Sequence, residues 1–168
     1  MTTLYLIRHG ETAENVMHIL QGHMPGTLTP QGIRQAELLR NDLIDIHFDA
    51  LVCSDLKRCI DTATILNSER RLPLQTTPLL RERDWGSFTG KHIPDIQNSP
   101  LPEDIESVDT MRRRAACFLE FIRIHFPHQY VMAVGHGLMN RAIQAVHYNK
   151  DMHEIERMGN ATYRILKL

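Results

Sequence analysis

The 168-residue chain is short of several things. It has three cysteines, Cys53, Cys59 and Cys117, and no Cys-x-x-Cys pair. That excludes a disulfide framework and a zinc knuckle and makes a reducing cytoplasm the expected compartment. Neither charge is in surplus, since nineteen basic side chains face twenty acidic ones. Nothing in the bulk therefore points to a nucleic acid or membrane partner. No apolar run approaches the length of a membrane span, and the start lacks the basic, apolar and small-residue succession of a signal peptide. Repeats and low-complexity tracts are missing as well. What is present is an ordinary globular composition, 42% apolar and 23% charged, long enough for one domain over residues 1–168.

Periodicity orders the elements. Leu4 to Ile7 is a short, continuous apolar run, as expected of a strand covered on both faces. Thr29-Pro30 reads as an N-cap and first helical residue, with Ile33, Ala36, Leu39, Leu43 and Ile46 following at helical spacing, so a helix is expected over 30–46. Phe48 to Cys53 is a second buried strand, and Ser54 or Asp55 is placed to cap the next helix. Leu74 to Leu80 is a weaker strand. Residues 86–104, with two glycines and three prolines, read as a long loop carrying at most one short helix. The longest helix is expected from Glu106 to Phe126, stopped by Pro127. Tyr130 to Val134 is a third buried strand, a helix follows Gly137, and Ala161 to Leu168 alternates like an edge strand. Strands alternating with helices imply α/β architecture, a three-layer α/β/α sandwich around a mostly parallel sheet.

The three buried strands end in polar groups that a core does not select. The first ends in Arg8-His9-Gly10. The second ends in Ser54-Asp55, with Arg58 one turn into the next helix. The third ends in Gly135-His136-Gly137. Ligands of open α/β sheets bind beyond the carboxyl ends of the strands. If these strands are parallel neighbours, two arginines and two histidines converge there. That is a site for a dianion, because a guanidinium matches phosphate oxygens and stays charged. Helix N-termini after the second and third strands would add positive potential. A histidine in such a cluster either donates to phosphate or attacks phosphorus itself. A leaving alkoxide needs a proton, and Glu82, just after the weak strand, is the carboxyl group in position. A phosphate beside it favours its protonated form, since like charges repel.

Here the residues reach a known family. "LIRHGETAEN" resembles the opening motif of the histidine phosphatase superfamily, in its phosphoglycerate-mutase-like branch. "LTPQGIRQAELL", "CSDLKRCIDTA", "LLRERDWG", "VMAVGHGLMNRAI" and "GNATYRIL" are similar to its later motifs, in order and across the whole chain. The resemblance implies that His9 is the nucleophile that becomes phosphohistidine. It implies that Arg8, Arg58 and His136 bind the phosphoryl group and that Glu82 donates the proton. Asn15 and Gln21 fall where family members contact phosphate or support the nucleophile. No cofactor and no metal are implied, since the arginines supply the positive charge. The implied partners are a small phosphorylated substrate and inorganic phosphate. The sequence carries no signature of oligomeric state.

Departures from the family pattern lie at the rim. Thr89 stands where many relatives have an acidic residue before the glycine, Thr27 where a proline often precedes the Leu-Thr pair, and Ile105 opens the long-helix motif. These bear on which substrate is taken rather than on the chemistry. Two alternatives compete with hydrolysis, namely a phosphoglycerate mutase and a phosphate-binding domain without turnover. Roughly 23 residues separate Glu82 from the long helix, little material for the cover a mutase needs against water. Binding alone needs neither an acid nor a free nucleophile. Three other matches fail on context. Cys117-x5-Arg123 sits inside a helix pattern, Gly86 to Lys91 is one residue short of a P-loop, and His125-x-x-His128 brackets the proline at a helix end.

Overall fold

A computed structural model describes residues 1–168. The first strand, β1 (Thr3–Arg8), is followed by a one-turn helix, α1 (Ala13–Val16). The next elements are α2 (Pro30–Asp42), β2 (Ala50–Ser54), α3 (Lys57–Asn67) and β3 (Leu74–Thr77). Short 3-10 turns at Pro78–Leu80 and Gly86–Phe88 lead to α4 (Ile93–Ile96). Then come α5 (Val108–His125), β4 (Tyr130–Gly135), α6 (Gly137–Tyr148) and β5 (Tyr163–Lys167). The sheet order is β3-β2-β4-β1-β5. Four strands run parallel and β5 closes one edge antiparallel.

The three strands that end in polar residues are adjacent. Arg8 pairs in register with Gly135, and Cys53 with Val134, so their carboxyl ends come level. Alternate residues of each strand enter opposite cores. Leu4, Leu6, Val52, Val131 and Ala133 pack with Phe118, Leu119 and Ile122 of α5 and Ala142 and Ile143 of α6. Tyr5, Ile7, Leu51, Met132 and Val134 pack with Leu39 of α2 and Ala63 and Leu66 of α3. Burial on both faces explains why these strands read as continuous apolar runs. The result is the expected three-layer sandwich.

Local chemistry sets the boundaries. Thr29 accepts from the Gly32 amide at 2.9 Å with Pro30 in the first turn, so α2 begins where expected. It ends at Asp42 rather than 46, because the Arg70 guanidinium takes the carbonyls of Leu43 and Ile46. Ile33, expected inside, is 41% exposed and Gly32 faces inward in its place, while Ala36, Leu39 and Leu43 are buried as expected. The start of α3 has no side-chain cap. Ser54 Oγ lies 2.8 Å from His136 Nε2, and Asp55 is held bidentately by Arg81, so both expected caps are engaged elsewhere. β3 is shorter than expected since Pro78 cannot donate to a ladder and turns the chain. Ser107 caps α5, which ends before Pro127.

The tightest backbone approach lies between the turn after β1 and the start of α2. A Cβ on Gly32 would sit 2.0 Å from the Glu11 carbonyl oxygen, and one on Gly10 would sit 2.5 Å from the Gly32 carbonyl oxygen. Alanine in place of a helical glycine ordinarily stabilises by about 1 kcal/mol. Here the sign inverts. Gly32→Ala is expected to lower stability in urea unfolding by about 2 kcal/mol, the usual scale of overpacking.

Candidate active site

The pocket opens beyond the carboxyl ends of β1, β2 and β4, with a volume of about 350 Å³. Its wall contains Arg8, His9, Asn15, Gln21, Arg58 and Glu82, six of the seven residues expected from sequence. His136 does not line it. That ring is fully buried behind His9, with ring centroids 5.3 Å apart at a 65° tilt. Its Nε2 meets Ser54 Oγ at 2.8 Å and Cys59 Sγ at 3.3 Å. Its Nδ1 has only a 3.8 Å approach from the same sulfur.

His9 is 3% exposed. Its Nδ1 lies 2.7 Å from the Gly10 carbonyl oxygen. A carbonyl only accepts, so this nitrogen carries the proton and Nε2 keeps its lone pair. The His9 carbonyl accepts from the Ala161 amide and from Asn160 Nδ2, both at 3.1 Å. Burial, then the Arg58 charge, and further Arg8, push the imidazole pKa down to about 3 against the pull of the Gly10 carbonyl. His136 is driven well below the ordinary histidine value by burial first, then by Arg58 and His9. Both rings are neutral at physiological pH.

The two arginines are held by backbone. Arg58, at 1% exposure, donates Nη2 to the Gly22 carbonyl at 2.9 Å and Nη1 to the carbonyls of Met24 and Pro25. Arg8 Nη1 donates to the Met158 carbonyl at 2.6 Å. The Nε atoms of both are buried with no hydrogen-bond partner in the chain. Buried donors normally find partners, and both guanidinium groups also line the pocket, so an anion there would meet two cations that no carboxylate pairs with.

The amides are oriented by their oxygens. Asn15 Oδ1 accepts from the Thr12 amide at 3.1 Å and from Asn160 Nδ2 at 3.3 Å. Gln21 Oε1 accepts from the Thr12 hydroxyl at 3.1 Å. Each amide therefore keeps its NH2 group as a donor for the pocket. Asn15 also completes a capping box with Thr12 on α1, so its capping and pocket-lining roles coexist.

Glu82 makes no ion pair with its neighbours. Arg81 holds Asp55, and Arg83 donates to the Glu106 carbonyl and stacks 4.6 Å over Trp85. The Glu82 carboxylate instead accepts from the amides of Leu138, Met139 and Arg83 at 3.0–3.1 Å. Two of these belong to the first turn of α6. The N-terminus expected to face a phosphate is thus occupied by Glu82, because a carboxylate satisfies the same unpaired amides. At α3 the Arg58 amide is likewise engaged, by the Pro25 carbonyl at 3.0 Å. Arg114 fixes the Glu82 segment from behind, donating to the carbonyls of Leu79, Arg81 and Glu82 while paired with Glu106. Ile19, Leu20, Ile93, Leu138, Arg141, Arg157 and Met158, absent from the sequence reading, also line the pocket. They reach it from loops and helix ends, where no periodicity points inward.

With this geometry in view, comparison with known proteins is decisive. The family model described as histidine phosphatase superfamily (branch 1) matches residues 4–168. The chain belongs to this superfamily. It is 40% identical over 104 residues to the adenosylcobalamin/alpha-ribazole phosphatase of Escherichia coli strain K12, covering 62% of this chain and 49% of that protein. It is 31% identical over 147 residues to the phosphatase PhoE of Bacillus subtilis strain 168, covering 85% of this chain and 76% of PhoE. The crystal structure of the alpha-ribazole phosphatase from Shigella flexneri superposes with a TM-score of 0.90 at 27% identity, covering 99% of this chain and 90% of that one. The match to the E. coli relative spans about half of that protein's length.

The two neutral histidines make the fold acid-sensitive. Between pH 6.5 and about 3, an unfolded His9 binds a proton that the folded His9 excludes. The unfolded state is then favoured, so stability falls as pH drops through that window. Calorimetric melting of the chain between pH 7 and pH 4 should show this loss. His9→Asn should flatten the slope.

Proposed function

We propose that this protein is a metal-independent phosphomonoester hydrolase that acts through a phosphohistidine on His9 and takes a small phosphorylated metabolite. One observation carries the reading. A neutral imidazole is locked with its free Nε2 toward a pocket where two guanidinium groups hold buried, unpaired N–H donors. In the first step the Nε2 lone pair attacks phosphorus in line, and the ester oxygen leaves with a proton from Glu82. In the second, water attacks the phosphohistidine, Glu82 takes the proton, and inorganic phosphate departs. Arg8 and Arg58 neutralise the transferring group, with the NH2 groups of Asn15 and Gln21 as further donors. His136, one layer behind, packs its neutral ring against His9 and backs the nucleophile from inside the core.

The positive charge comes from arginine, and no group of three or more histidine, cysteine, aspartate or glutamate side chains is gathered to hold a metal ion. Hydrolysis is favoured over mutase chemistry by the thin cover. The segment after Glu82 contributes one 3-10 turn and the single-turn α4, and residues 91–95 are exposed. Such a rim admits water to the phosphoenzyme. Alpha-ribazole phosphate, sugar phosphates and glycerate phosphates all belong to the substrate class. No helix is long and apolar enough to cross a membrane, and the three thiols are free. Both are consistent with the expected cytoplasmic setting.

Two measurements test the mechanism. His9→Ala should abolish turnover of aryl phosphates between pH 5 and pH 8, and rapid acid-free quenching should then trap no labelled phosphoenzyme. Wild-type activity without a trappable intermediate would sink the covalent route. Glu82→Gln should slow an alkyl phosphate about a hundredfold or more and nitrophenyl phosphate far less, because nitrophenolate leaves without a proton. Equal losses on both substrates would remove Glu82 from the acid role.

A further inference from the structure

The mouth of the pocket carries more positive charge than a phosphomonoester needs. Four arginines line it, Arg8, Arg58, Arg141 and Arg157, against one carboxylate, Glu82. A bound dianion offsets two of those charges, and Glu82, in its ionised form, a third. The fourth has no counterpart in the chain. Arg157 is exposed and enters no ion pair. Its acidic neighbour Glu156 is turned to Arg164 at 3.0 Å. Arg141 donates Nε to the Ile155 carbonyl at 2.7 Å, its sole hydrogen bond, which leaves both Nη groups free.

These two arginines are not loose surface groups. The segment that carries Arg157 is tied to the site at both ends. Arg141 Nε binds the Ile155 carbonyl, and Arg8 Nη1 binds the Met158 carbonyl. Ile155 and Met158 are themselves buried. The guanidinium that grips phosphate therefore also fixes the position of the next cation along the pocket wall. Trp85 and Ile93 share the pocket lining, and their apolar surface favours a short organic body over water.

We infer that the substrate is a phosphomonoester whose leaving group carries a second anion, a carboxylate or a further phosphoryl group, bound by Arg157 and Arg141. This rests on the pocket being a phosphoryl-transfer site. Arginine suits the task, since its fork of donors matches either oxyanion. An uncharged sugar or nucleoside body would leave the Arg157 charge uncompensated.

Calorimetric titration of the whole chain at pH 8 and low salt tests this without requiring turnover. The probes are ethylphosphonate, phosphonoacetate and methylenebisphosphonate. At least one doubly anionic probe should bind about tenfold more tightly than ethylphosphonate. Arg157→Gln should reduce that preference to within about twofold, and Arg157→Lys should restore part of it. Arg157 makes no contact that holds the fold, so the variant folds. A stronger response to phosphonoacetate assigns the second group as carboxylate, and one to the bisphosphonate as phosphoryl; both support the inference. Equal affinity for all three probes in the wild type overturns it, as does a preference that survives Arg157→Gln. A preference of the expected size in a chain that hydrolyses neither glycerate 3-phosphate nor glycerol 3-phosphate leaves the second-anion site standing and refutes hydrolysis. No binding of any probe overturns both.

Discussion

Two guanidinium groups without a carboxylate partner are the constraint from which the rest follows. Removing a cation from water is costly unless hydrogen bonds replace the hydration. Arg58 recruits the carbonyls of Gly22, Met24 and Pro25, and Arg8 that of Met158. Two loops are thereby shaped as carbonyl cages. Gly26, at φ +71°, belongs to one of them. A Cβ there would meet Gln21 Oε1 at 2.7 Å and the Arg58 Cδ at 2.9 Å. Dipoles rather than acids solvate the two cations, so their field stays unneutralised inside the pocket. That field suits an anion, and after burial, the larger cause, it helps keep His9 neutral with its lone pair free. In the proposed reaction the same two cations serve both binding and the nucleophile.

The carboxylate of Glu82 works against this background. Three backbone amides hold it at the start of α6. Those amides orient the group and solvate its charge, and in the proposed reaction an arriving dianion shifts it toward the protonated acid. The same arrangement separates acid from cation. Glu82 does not collapse onto Arg81 or Arg83, because Asp55 and the Glu106 carbonyl already occupy them. Arg114 supports the segment through the carbonyls of Leu79, Arg81 and Glu82. The carboxylate is thus held by backbone amides, while the guanidinium groups of Arg81, Arg83 and Arg114 are bound elsewhere and leave its oxygens free.

Much of this was legible in the sequence, for identifiable reasons. Strands buried on both faces leave continuous apolar runs, so an arginine, a serine or a histidine at their ends stands out as misplaced. Parallel order then brings those ends together, which is why Arg8, His9 and Arg58 share one wall, with Asn15, Gln21 and Glu82 joining them from a one-turn helix and loops. What escaped was contextual. Ser54 looked like a helix cap and is the partner of His136. The α6 N-terminus looked like a phosphate cradle and binds Glu82. His136 looked like a lining residue and stands one layer back. In each case a second partner, distant in sequence, competes for the same donor or acceptor. Arg157 gave no signal at all, because beside Glu156 it reads as half of an ordinary surface pair.

The carbonyl of His9 is held by Asn160 and Ala161, and the side chain of Arg8 by Met158, across about 150 positions of sequence. The proposed nucleophile thus precedes its supports along the chain, and the two meet only through the folded sheet. During synthesis the early strand has neither its carbonyl partner nor its cation cage. A chain that stops short of Met158 therefore carries Arg8 and His9 without the groups that hold them. Docking of the segment just before β5 completes the proposed phosphoryl site.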